Sequence, residues 1–405
     1  MKVLNINKFF YIKGGAETYY FELNHMLEKH GHQVMHFSMK HENNVSSAYN
    51  EYFINNIDYY KQTRFFQKVK NAGKIVYSIE AAKKLEQLIK KEKPDIAHLQ
   101  NFHHQLSGSI LRVLKKYGIP VVYTAHDLKL ICGNYKMLAH NEICEACKGG
   151  KHIQCYKRKC VKDSRAGSLV NTIEMYLADW MKMNECIDKI ITPSRFYLDK
   201  MVEFGIAKEK VEYIPNFINA SKFEPKFMPG EYFVYFGRLA EEKGLYTLLE
   251  AMEKVEKTML YIIGTGPIEE NVTKMLQNKG LNSKVKMLGY KSGKELTSIL
   301  ENSISNILPS EWYENGPYSV LEMMCMGKPT IAANIGGLPD MVVNEKTGLL
   351  FEFKNADDLA YKIQRLSDDK EEAIRMGKNA RALVEKVHSE EAYYTKLIQV
   401  YEQVM

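Results

Sequence analysis

The chain has 405 residues, of which 45% are hydrophobic and 26% are charged, with 25 Gly and 11 Pro. This length exceeds what a single hydrophobic core usually holds, so we expect two domains. The composition is that of an ordinary globular protein and excludes disordered and collagen-like classes. No stretch approaches about 18 consecutive apolar residues, and the N-terminus lacks the apolar run of a signal peptide. The sequence therefore predicts a cytoplasmic protein.

The formal net charge of +7 is distributed unevenly. Residues 1–215 carry 33 Lys and Arg against 22 Asp and Glu, whereas residues 216–405 carry 23 against 27. A basic half favours an anionic partner, such as nucleic acid or anionic lipid headgroups. The alternative is an ordinary solvated surface with surplus lysine.

Strand and helix patterns alternate along both halves of the chain. The first half contains the predicted strands KVLNIN, HQVMHFSM, DIAHLQN, PVVYTAH and DKIITPS, and a helix, GAETYYFELNHMLEKHG, closed by Gly31. After the turn-rich stretch 213–231, the pattern restarts with YFVYFGR, MLYIIGTG, VKMLGY, SNILPS and PTIAAN. Residues beyond 355 have a helical pattern. This alternation predicts two doubly wound parallel α/β sheets, whose ligands bind outside the carboxyl ends of the strands.

The stretch SEWYENGPYSVLE, residues 310–322, combines a helix start with two glutamates. Pro317 is predicted at the first helical position and Gly327 just past the helix end. A helix N-terminus suits a phosphate group. We therefore expect each carboxylate to meet a different part of one ligand, Glu322 a ribose and Glu314 a reacting group that develops positive charge. The alternative is that Glu314 is a solvated loop residue and Glu322 a surface helix residue.

Three further motifs follow predicted strands. Arg238 and Lys243, in GRLAEEKG, could clamp a diphosphate and stabilise it as a leaving group. Alternatively, Arg238 is solvated and Lys243 pairs with a neighbouring glutamate. The two glycines of YIKGGAET allow close approach of backbone to a phosphate or sugar, although a lone Gly-Gly is a weak signal. His126, in YTAHD, is on its own more typical of a satisfied core histidine.

Five of the seven cysteines lie in the segment 132–162. They are Cys132, Cys144, Cys147, Cys155 and Cys160. The last four are spaced Cys-x2-Cys-x7-Cys-x4-Cys, and disulfides are not expected in a cytoplasmic protein. The spacing favours a structural tetrathiolate zinc site, with Cys144, Cys147, Cys155 and Cys160 as ligands. The alternative is a set of reduced thiols in a small loop subdomain.

Two segments bear on membrane contact. Residues 59–93 mix aromatic residues with many lysines, and a basic amphipathic helix of this kind can lie on an anionic membrane. The alternative is a helix that packs its apolar face on the sheet. The segment GSLVNTIEMYLADWMKM is also helical, and we expect its Met and Trp side chains to lie in the core.

Together these motifs resemble a known family. In chain order, the sequence contains GGAE, HD after a strand, GRLxxEKG, GTGP, and two glutamates with seven residues between them, followed by GKPTIAANIGGLPD. In this combination the chain resembles the family 4 retaining glycosyltransferases, which have the GT-B fold. The resemblance spans essentially the whole chain and is closest to bacterial capsule and surface-polysaccharide enzymes. It implies two Rossmann-like domains facing across a cleft. Residues 1–215 would bind the acceptor and carry the Cys-rich insertion, 216–385 would bind the nucleotide sugar, and 386–405 would form a helix packing back on the first domain.

The resemblance also implies roles for individual residues. The residues implied to bind the donor nucleotide sugar are Gly14, Gly15, Arg238, Lys243, Gly264, Gly266, Gly289, Tyr290, Glu314, Asn315, Gly316, Pro317, Tyr318, Ser319 and Glu322. The residues implied to be catalytic are His126, Glu314, Arg238 and Lys243. Many members have Phe-Gly-hydrophobic-Pro between the two glutamates, whereas this chain has Gly-Pro-Tyr-Ser, which leaves the donor sugar open.

The resemblance implies a retaining transfer from a nucleotide-diphosphate sugar, most simply a UDP-sugar, to a lipid-linked or saccharide acceptor. The acceptor would attack from the face of the leaving group, and a donor phosphate oxygen would take its proton. Arg and Lys would replace a catalytic metal at the diphosphate, and the enzyme would work at the inner face of the cell membrane. Two alternatives stay open at this point. One is a nucleotide-sugar epimerase or hydrolase on the same fold. The other is a zinc-containing nucleic-acid-binding protein, which the absence of a recognisable aromatic and basic binding module disfavours.

Overall fold

The computed structural model describes residues 1–56, 73 and 75–405. Within it, the chain forms two compact units. Unit 1 comprises Met1–Ile214 and Tyr394–Met405, and unit 2 comprises Pro215–Tyr393. The first division lies between Ile214 and Pro215, and the boundary predicted from the sequence lies between residues 215 and 216. The return to unit 1 begins at Tyr394, eight residues after the predicted residue 386.

Unit 1 is built on a parallel sheet with six strands among the described residues. In chain order the strands of this unit are β1 (Lys2–Ile6), β2 (Gln33–Phe37), β3 (Ile96–Leu99), β4 (Val121–Thr124), β5 (Leu138–Ala139), β6 (Glu142–Ile143), β7 (Lys189–Thr192) and β8 (Val211–Tyr213). The large sheet has the order β2-β1-β3-β4-β7-β8, and β5 and β6 form a separate antiparallel pair. In β1, Leu4 aligns with Met35 on one side and Ala97 on the other. Because helices cover both faces of such a sheet, its central strands read as continuous apolar runs.

The helices of unit 1 follow the strands. They are α1 (Gly15–Lys29), α2 (Ile79–Glu92), α3 (Ser109–Lys116), α4 (Ile153–Lys157), α5 (Arg165–Trp180) and α6 (Arg195–Glu203). Serine side chains at the N-caps of α2, α5 and α6 accept a backbone hydrogen bond from the first turn, which satisfies an otherwise unpaired N–H group. Within the basic segment 59–93, residues 59–72 and 74 lie outside the described residues. The described part, α2, buries Leu85 and Leu88, as the packing alternative expects.

Unit 2 has a second parallel sheet, again with six strands in the part of the chain that is described. Its strands are β9 (Tyr232–Phe236), β10 (Met259–Ile263), β11 (Val285–Gly289), β12 (Asn306–Leu308), β13 (Thr330–Ala333) and β14 (Gly348–Phe351). The spatial order is β11-β10-β9-β12-β13-β14, so the winding direction reverses between β9 and β12. This is the strand order of a doubly wound dinucleotide-binding sheet, which binds ligands at the carboxyl ends of the two strands where the order reverses.

The helices of unit 2 complete the alternation. They are α7 (Leu245–Lys254), α8 (Glu269–Asn278), α9 (Gly293–Glu301), α10 (Tyr318–Cys325), α11 (Leu338–Met341), α12 (Ala356–Asp368) and α13 (Lys370–Val387). The last helix, α14 (Glu390–Glu402), starts in unit 2, where Tyr393 is buried against Phe217. From Tyr394 onwards it packs in unit 1. The Tyr394 ring stacks on His30 at 3.6 Å, and the Tyr401 hydroxyl lies 2.7 Å from His98 Nδ1.

Candidate active site

Four strands of unit 2 carry predicted site residues at one edge of the sheet. The loops after β9 and β10 contain Gly237-Arg238 and Gly264-Thr265-Gly266. Strand β11 ends at Gly289 and is followed by Tyr290, and the loop after β12 contains residues 309–317. Because all four strands are parallel neighbours, their carboxyl ends share this edge. The loops are joined by backbone hydrogen bonds, from Leu239 N–H to the Thr265 carbonyl (3.0 Å) and from Gly264 N–H to the Gly289 carbonyl (2.8 Å).

At the point where the strand order reverses, the structure brings Lys243 and Glu314 together. Lys243 Nζ donates to Glu314 Oε1 at 2.6 Å, and Ser310 Oγ donates to the same oxygen at 2.6 Å. The Lys243 ammonium also lies 5.0 Å from the centre of the Trp312 ring, a cation–π contact. Glu314 is buried, with a 6% exposed side chain. The alternative that Glu314 is a solvated loop residue is therefore wrong. Lys243 pairs with Glu314, whereas the alternative for Lys243 expected Glu241 or Glu242 as its partner.

The surroundings of Glu314 keep this carboxylate ionised despite its burial. Burial pushes the pKa of Glu314 up, but the Lys243 ammonium and the hydrogen bonds from Lys243 and Ser310 outweigh it and hold the pKa below its ordinary value. Glu314 is thus a carboxylate at physiological pH. A fixed anion next to a fixed cation offers opposite charges to two different parts of one ligand.

Two glycines allow the loops to approach so closely. Gly244, directly after Lys243, has φ +69, and a Cβ there would lie 1.8 Å from the Pro309 carbonyl oxygen of the loop after β12. Gly336 has φ +60, and a Cβ would lie 2.6 Å from the Glu314 carbonyl oxygen. That carbonyl also accepts a 2.7 Å hydrogen bond from Gly337 N–H. Only glycine fits these backbone positions without displacing the Lys243–Glu314 pair.

The segment between the two glutamates enters α10 one residue later than predicted. Pro317 occupies the N-cap, Tyr318 is the first helical residue, and Gly327 follows the helix end with φ +70. The preceding turn is tied down by Asn216, whose Nδ2 donates to the Gly316 carbonyl at 2.8 Å. Asn216 is itself held through its carbonyl oxygen, 2.7 Å from His388 Nδ1.

Glu322, on α10, differs from Glu314 in its environment. It is half-buried, and burial raises the pKa of its carboxyl to about 7. Its folded-state pKa is therefore above the unfolded value of 4.5, so the folded state is penalised as the pH rises from about 4.5 through 7. A ligand that donates hydrogen bonds to this carboxylate would offset the cost of its ionisation, and contact of Glu322 with a ligand stays a prediction.

We expect Glu322→Gln to stabilise the ligand-free protein at pH 8, by about 1–3 kcal/mol, and to leave its stability at pH 4 unchanged. Glutamine has the same shape and no charge, so it removes only the cost of ionising a buried carboxyl. Thermal unfolding of both proteins at the two pH values measures the difference. If the stability of the two proteins changed with pH in the same way, the raised pKa of Glu322 would be contradicted.

The other donor-site predictions lie at the same edge. Arg238 is exposed, and its carbonyl accepts from the Tyr235 hydroxyl at 2.8 Å. Tyr290 is 72% exposed at the end of β11. Gly266 packs on the loop after β9, where a Cβ would lie 2.1 Å from the Leu239 carbonyl oxygen. These placements agree with a donor-binding edge, and contact with a ligand stays a prediction.

In unit 1, the predicted residues Gly14 and Gly15 lie at the start of α1. Gly14 is the N-cap and Gly15 the first helical residue, and both are exposed. The carboxylate of Glu17, in the first turn, is buried beside them, and its burial raises its pKa. This loop follows β1, next to β3, where the strand order of the unit 1 sheet reverses.

His126 belongs to a polar network at the carboxyl end of β4. Its Nε2 lies 2.8 Å from Gln100 Oε1, and its ring contacts the Tyr19 ring edge-on at 4.8 Å. Gln100 in turn donates to Asn5 Oδ1 at 3.3 Å. Burial lowers the pKa of His126 to about 3, so the imidazole is neutral at physiological pH. With Nε2–H donated to Gln100, Nδ1 is left as a hydrogen-bond acceptor.

The cysteine segment gathers its thiols around one small cavity. The cavity, of about 10 Å³, is lined by Cys132, Cys144, Cys147, Cys155 and Cys160, among others. Cys155 Sγ and Cys160 Sγ lie 2.8 Å apart, closer than the roughly 3.8 Å that two thiolates keep on a tetrahedral zinc ion. Burial raises the pKa of Cys147 to about 12, which disfavours the thiolate. Over residues 1–56, 73 and 75–405, no group of three or more His, Cys, Asp or Glu side chains is arranged to hold a metal ion.

The ligands of the predicted zinc site are therefore close together but not in coordinating geometry, and zinc binding stays a prediction. If the site forms, elemental analysis of carefully purified protein should find about one zinc per chain. A Cys147→Ser variant should lose that metal, and a Cys325→Ser variant, in unit 2, should keep it. Zinc-free wild-type protein would exclude the tetrathiolate site.

Several residues that support the candidate site were not identified from the sequence. Ser310, Trp312, Gly244, Gly336 and Asn216 all hold the Lys243–Glu314 pair or its loop in place. Gly336 falls within GKPTIAANIGGLPD and Gly244 within GRLAEEKG, so the motifs contained them without showing what they contact. Their roles depend on contacts between loops that lie far apart in the sequence.

Comparison with known proteins agrees with this architecture. The model "Glycosyltransferase Family 4" matches residues 13–222, and "Glycosyl transferases group 1" matches residues 217–383. One relative is the Escherichia coli UDP-Gal:alpha-D-GlcNAc-diphosphoundecaprenol alpha-1,3-galactosyltransferase, 28% identical over 322 residues, which cover 73% of this chain and 72% of the relative.

Solved structures share the fold across the whole chain. Sucrose-phosphate synthase from Thermosynechococcus elongatus superposes with a TM-score of 0.74 at 20% identity, over 99% of this chain and 98% of that one. Anabaena Alr3699/HepE in complex with UDP-glucose superposes with a TM-score of 0.65 at 15% identity, over 100% of both chains. The two six-stranded parallel sheets of the described chain are thus the two Rossmann-like domains of the GT-B fold. The chain belongs to glycosyltransferase family 4.

Proposed function

We propose that this glycosyltransferase moves a sugar, with retention of anomeric configuration, from a UDP-sugar to a lipid-linked or saccharide acceptor in bacterial surface-polysaccharide synthesis. The observation that carries the proposal is the contact of Lys243 with the buried Glu314 and Ser310 at the point where the strand order of the unit 2 sheet reverses. The E. coli relative supports the donor and acceptor classes, since its name contains UDP-Gal and a diphosphoundecaprenol.

The donor diphosphate is the first ligand that this edge fits. As the bond between the anomeric carbon and the diphosphate breaks, negative charge builds on the leaving oxygen. Lys243 has three donor hydrogens and uses one on Glu314, so two stay for phosphate oxygens. Arg238, exposed on the loop after β9, supplies a second cation. Since the charge grows in the transition state, both cations stabilise it more than the ground state.

Glu314 serves the sugar rather than the phosphate. Its carboxylate is kept ionised by Lys243 and Ser310, and it lies on the loop that leads into α10. Positive charge on the anomeric carbon is greatest when the diphosphate has left and the acceptor has not yet bonded. A fixed carboxylate stabilises that charge. The acceptor oxygen then bonds to the same face of the sugar, and its proton passes to a phosphate oxygen of the UDP.

The remaining predicted contacts are assigned within each unit. In unit 2, Glu322 holds the ribose hydroxyls, and Tyr290 borders the base. In unit 1, the backbone at Gly14-Gly15 accommodates a phosphate, and His126, as a neutral hydrogen-bond acceptor at Nδ1, receives a sugar hydroxyl. The environment of His126 supports this role, because a protonated imidazole would have no acceptor atom.

The test is incubation of the protein with UDP-glucose, UDP-galactose and UDP-N-acetylglucosamine, with and without a short-chain polyprenyl diphosphate monosaccharide. We expect one donor to release UDP in an acceptor-dependent manner and to give a disaccharide with the anomeric configuration of the donor. Acceptor-independent conversion to free sugar or to an epimeric nucleotide sugar would instead establish the hydrolase or epimerase alternative.

A further inference from the structure

Helix α5 turns its polar side chains inward and its apolar side chains outward. Ser168, Asn171, Thr172 and Glu174 are buried, which is the reverse of a normal surface helix. The side chains of the opposite face are large and apolar. They are Leu169 (44% exposed), Ile173 (44%), Tyr176 (42%) and Trp180 (78%). The expectation that Trp180 lies in the core is therefore wrong, whereas Met175 is buried as expected.

The buried polar face explains why the helix is oriented in this way. Glu174 Oε2 accepts from Lys129 Nζ at 2.7 Å, and Asn171 Nδ2 donates to the Gly133 carbonyl at 2.8 Å. Ser168 Oγ accepts from Val161 N–H at 3.1 Å. These contacts join α5 to the cysteine segment, and rotating the helix to bury the apolar face would leave the buried groups unpaired. The outward direction of the apolar face is therefore fixed by the fold.

The apolar residues form a continuous stripe. Positions 169, 173, 176 and 180 are spaced by four, three and four residues, so they lie along one face of α5, whose 16 residues span about 24 Å. Exposed Ile153, on the neighbouring α4, adds to the apolar surface, since His152 beside it contacts the Tyr176 ring. Contiguous exposed apolar side chains of this kind are typical of interaction sites.

The charge around the stripe identifies the partner. Residues 148–182 contain eight Lys and Arg against three Asp and Glu. Of the acids, Glu174 is buried against Lys129, and Asp179 lies 2.7 Å from His152 Nε2. Two exposed basic side chains lie on the same two helices: Lys157, at the end of α4, and Arg165, four residues before Leu169 on α5. An apolar face with aromatic rings and a basic margin matches an anionic bilayer surface, where Trp and Tyr favour the headgroup level.

We propose that the α5 stripe docks unit 1 on an anionic membrane, with Trp180 and Ile173 entering the headgroup boundary and the basic margin contacting lipid phosphates. The docking is peripheral, since no helix among the described residues is long and apolar enough to cross a bilayer. The role of this docking rests on the proposed function, because a lipid-linked acceptor lies at the membrane surface. Its location on α5 differs from the segment 59–93, the candidate for membrane contact that the sequence analysis considered.

Sedimentation with vesicles of mixed phosphatidylglycerol and phosphatidylcholine tests the proposal without any sugar donor. Wild-type protein should sediment with these mixed vesicles and should not sediment with vesicles of pure phosphatidylcholine. The triple variant Leu169→Ser, Ile173→Ser, Trp180→Ser should bind the vesicles at least about tenfold more weakly than the wild type. In the double variant Lys157→Gln, Arg165→Gln, the affinity for the vesicles should fall about fivefold for each charge removed. Tyr361→Ser, which removes a similarly exposed aromatic residue in unit 2, should change nothing.

Two readouts separate insertion into the bilayer from pairing with a second copy of the chain. Lipids brominated in the upper acyl chain should quench Trp180 fluorescence, and a Trp180→Phe variant should show no such quenching beyond that of Trp312. Size-exclusion chromatography of the wild type and the triple variant detects a dimer formed through the stripe. Vesicle binding by the triple variant that equals that of the wild type would overturn the proposal. So would a wild-type protein that forms a dimer and does not bind vesicles, if the triple variant is a monomer. Transfer to a water-soluble acceptor should be retained by the triple variant, so a failure of docking is distinguishable from a failure of the proposed transferase activity.

Discussion

Lys243→Ala should lower kcat for sugar transfer by about 10²- to 10³-fold, the usual cost of removing one group that stabilises developing negative charge. The Lys243 ammonium is a half-buried cation at the point where the strand order of the unit 2 sheet reverses, and its 2.6 Å bond to the buried Glu314 fixes its position. KM for the donor should change much less, because the interaction strengthens as the diphosphate departs. Steady-state UDP release measures both constants.

The control for this substitution is Lys254→Ala. Lys254 also forms an ion pair, with Asp357, but it lies at the far end of α7 and both partners are largely exposed. Its loss should leave kcat within about twofold, in line with the small contribution of surface pairs. Near-normal turnover by Lys243→Ala would show that Lys243 has no part in the chemistry.

Glu314→Gln should lower kcat by at least about 10²-fold, while the protein stays folded. Glutamine keeps the shape of the side chain and can still accept from Ser310, but it cannot stabilise positive charge on the sugar. It also leaves Lys243 without its anion, although that ammonium is partly solvated, with a 20% exposed side chain. Transfer assays and circular dichroism on the same preparation separate loss of chemistry from loss of fold.

Glu322→Gln is the matched comparison, because it removes the other carboxylate of the same motif. Since Glu322 is assigned to the ribose, this change should raise KM for the donor more than it lowers kcat. If Glu314→Gln showed that pattern and Glu322→Gln lost turnover instead, the two assignments would have to be exchanged.

Much of the fold could be predicted because it depends on local patterns. Strands of parallel sheets are buried on both faces and read as apolar runs, and glycines such as Gly31 and Gly327 mark helix ends. The predicted boundary at residue 215 rested on the turn-rich stretch that starts there. The position where α14 passes back to unit 1 was missed by eight residues, because α13 and the start of α14 have the same helical pattern on both sides of it.

Contacts between distant loops could not be predicted. Lys243 and Glu314 were assigned separately, to the diphosphate and the sugar, and their separation of 71 residues hides the fact that they form one pair. The same holds for Asn216, which reaches Gly316 across 100 residues. Helix α5 shows a different difficulty: its periodicity was clear, but which face is buried was decided by polar partners such as Lys129, far from the helix in sequence.

A double-mutant cycle on Lys243 and Glu314 tests the central claim most directly. The measurement is kcat/KM for transfer from the preferred UDP-sugar by wild type, Lys243→Ala, Glu314→Gln and the double variant. If the pair works as one catalytic unit, the double variant should be about as impaired as the worse single variant, because each partner depends on the other for its position and charge. Losses that multiply in the double variant, or near-normal transfer by either single variant, would contradict a paired catalytic role.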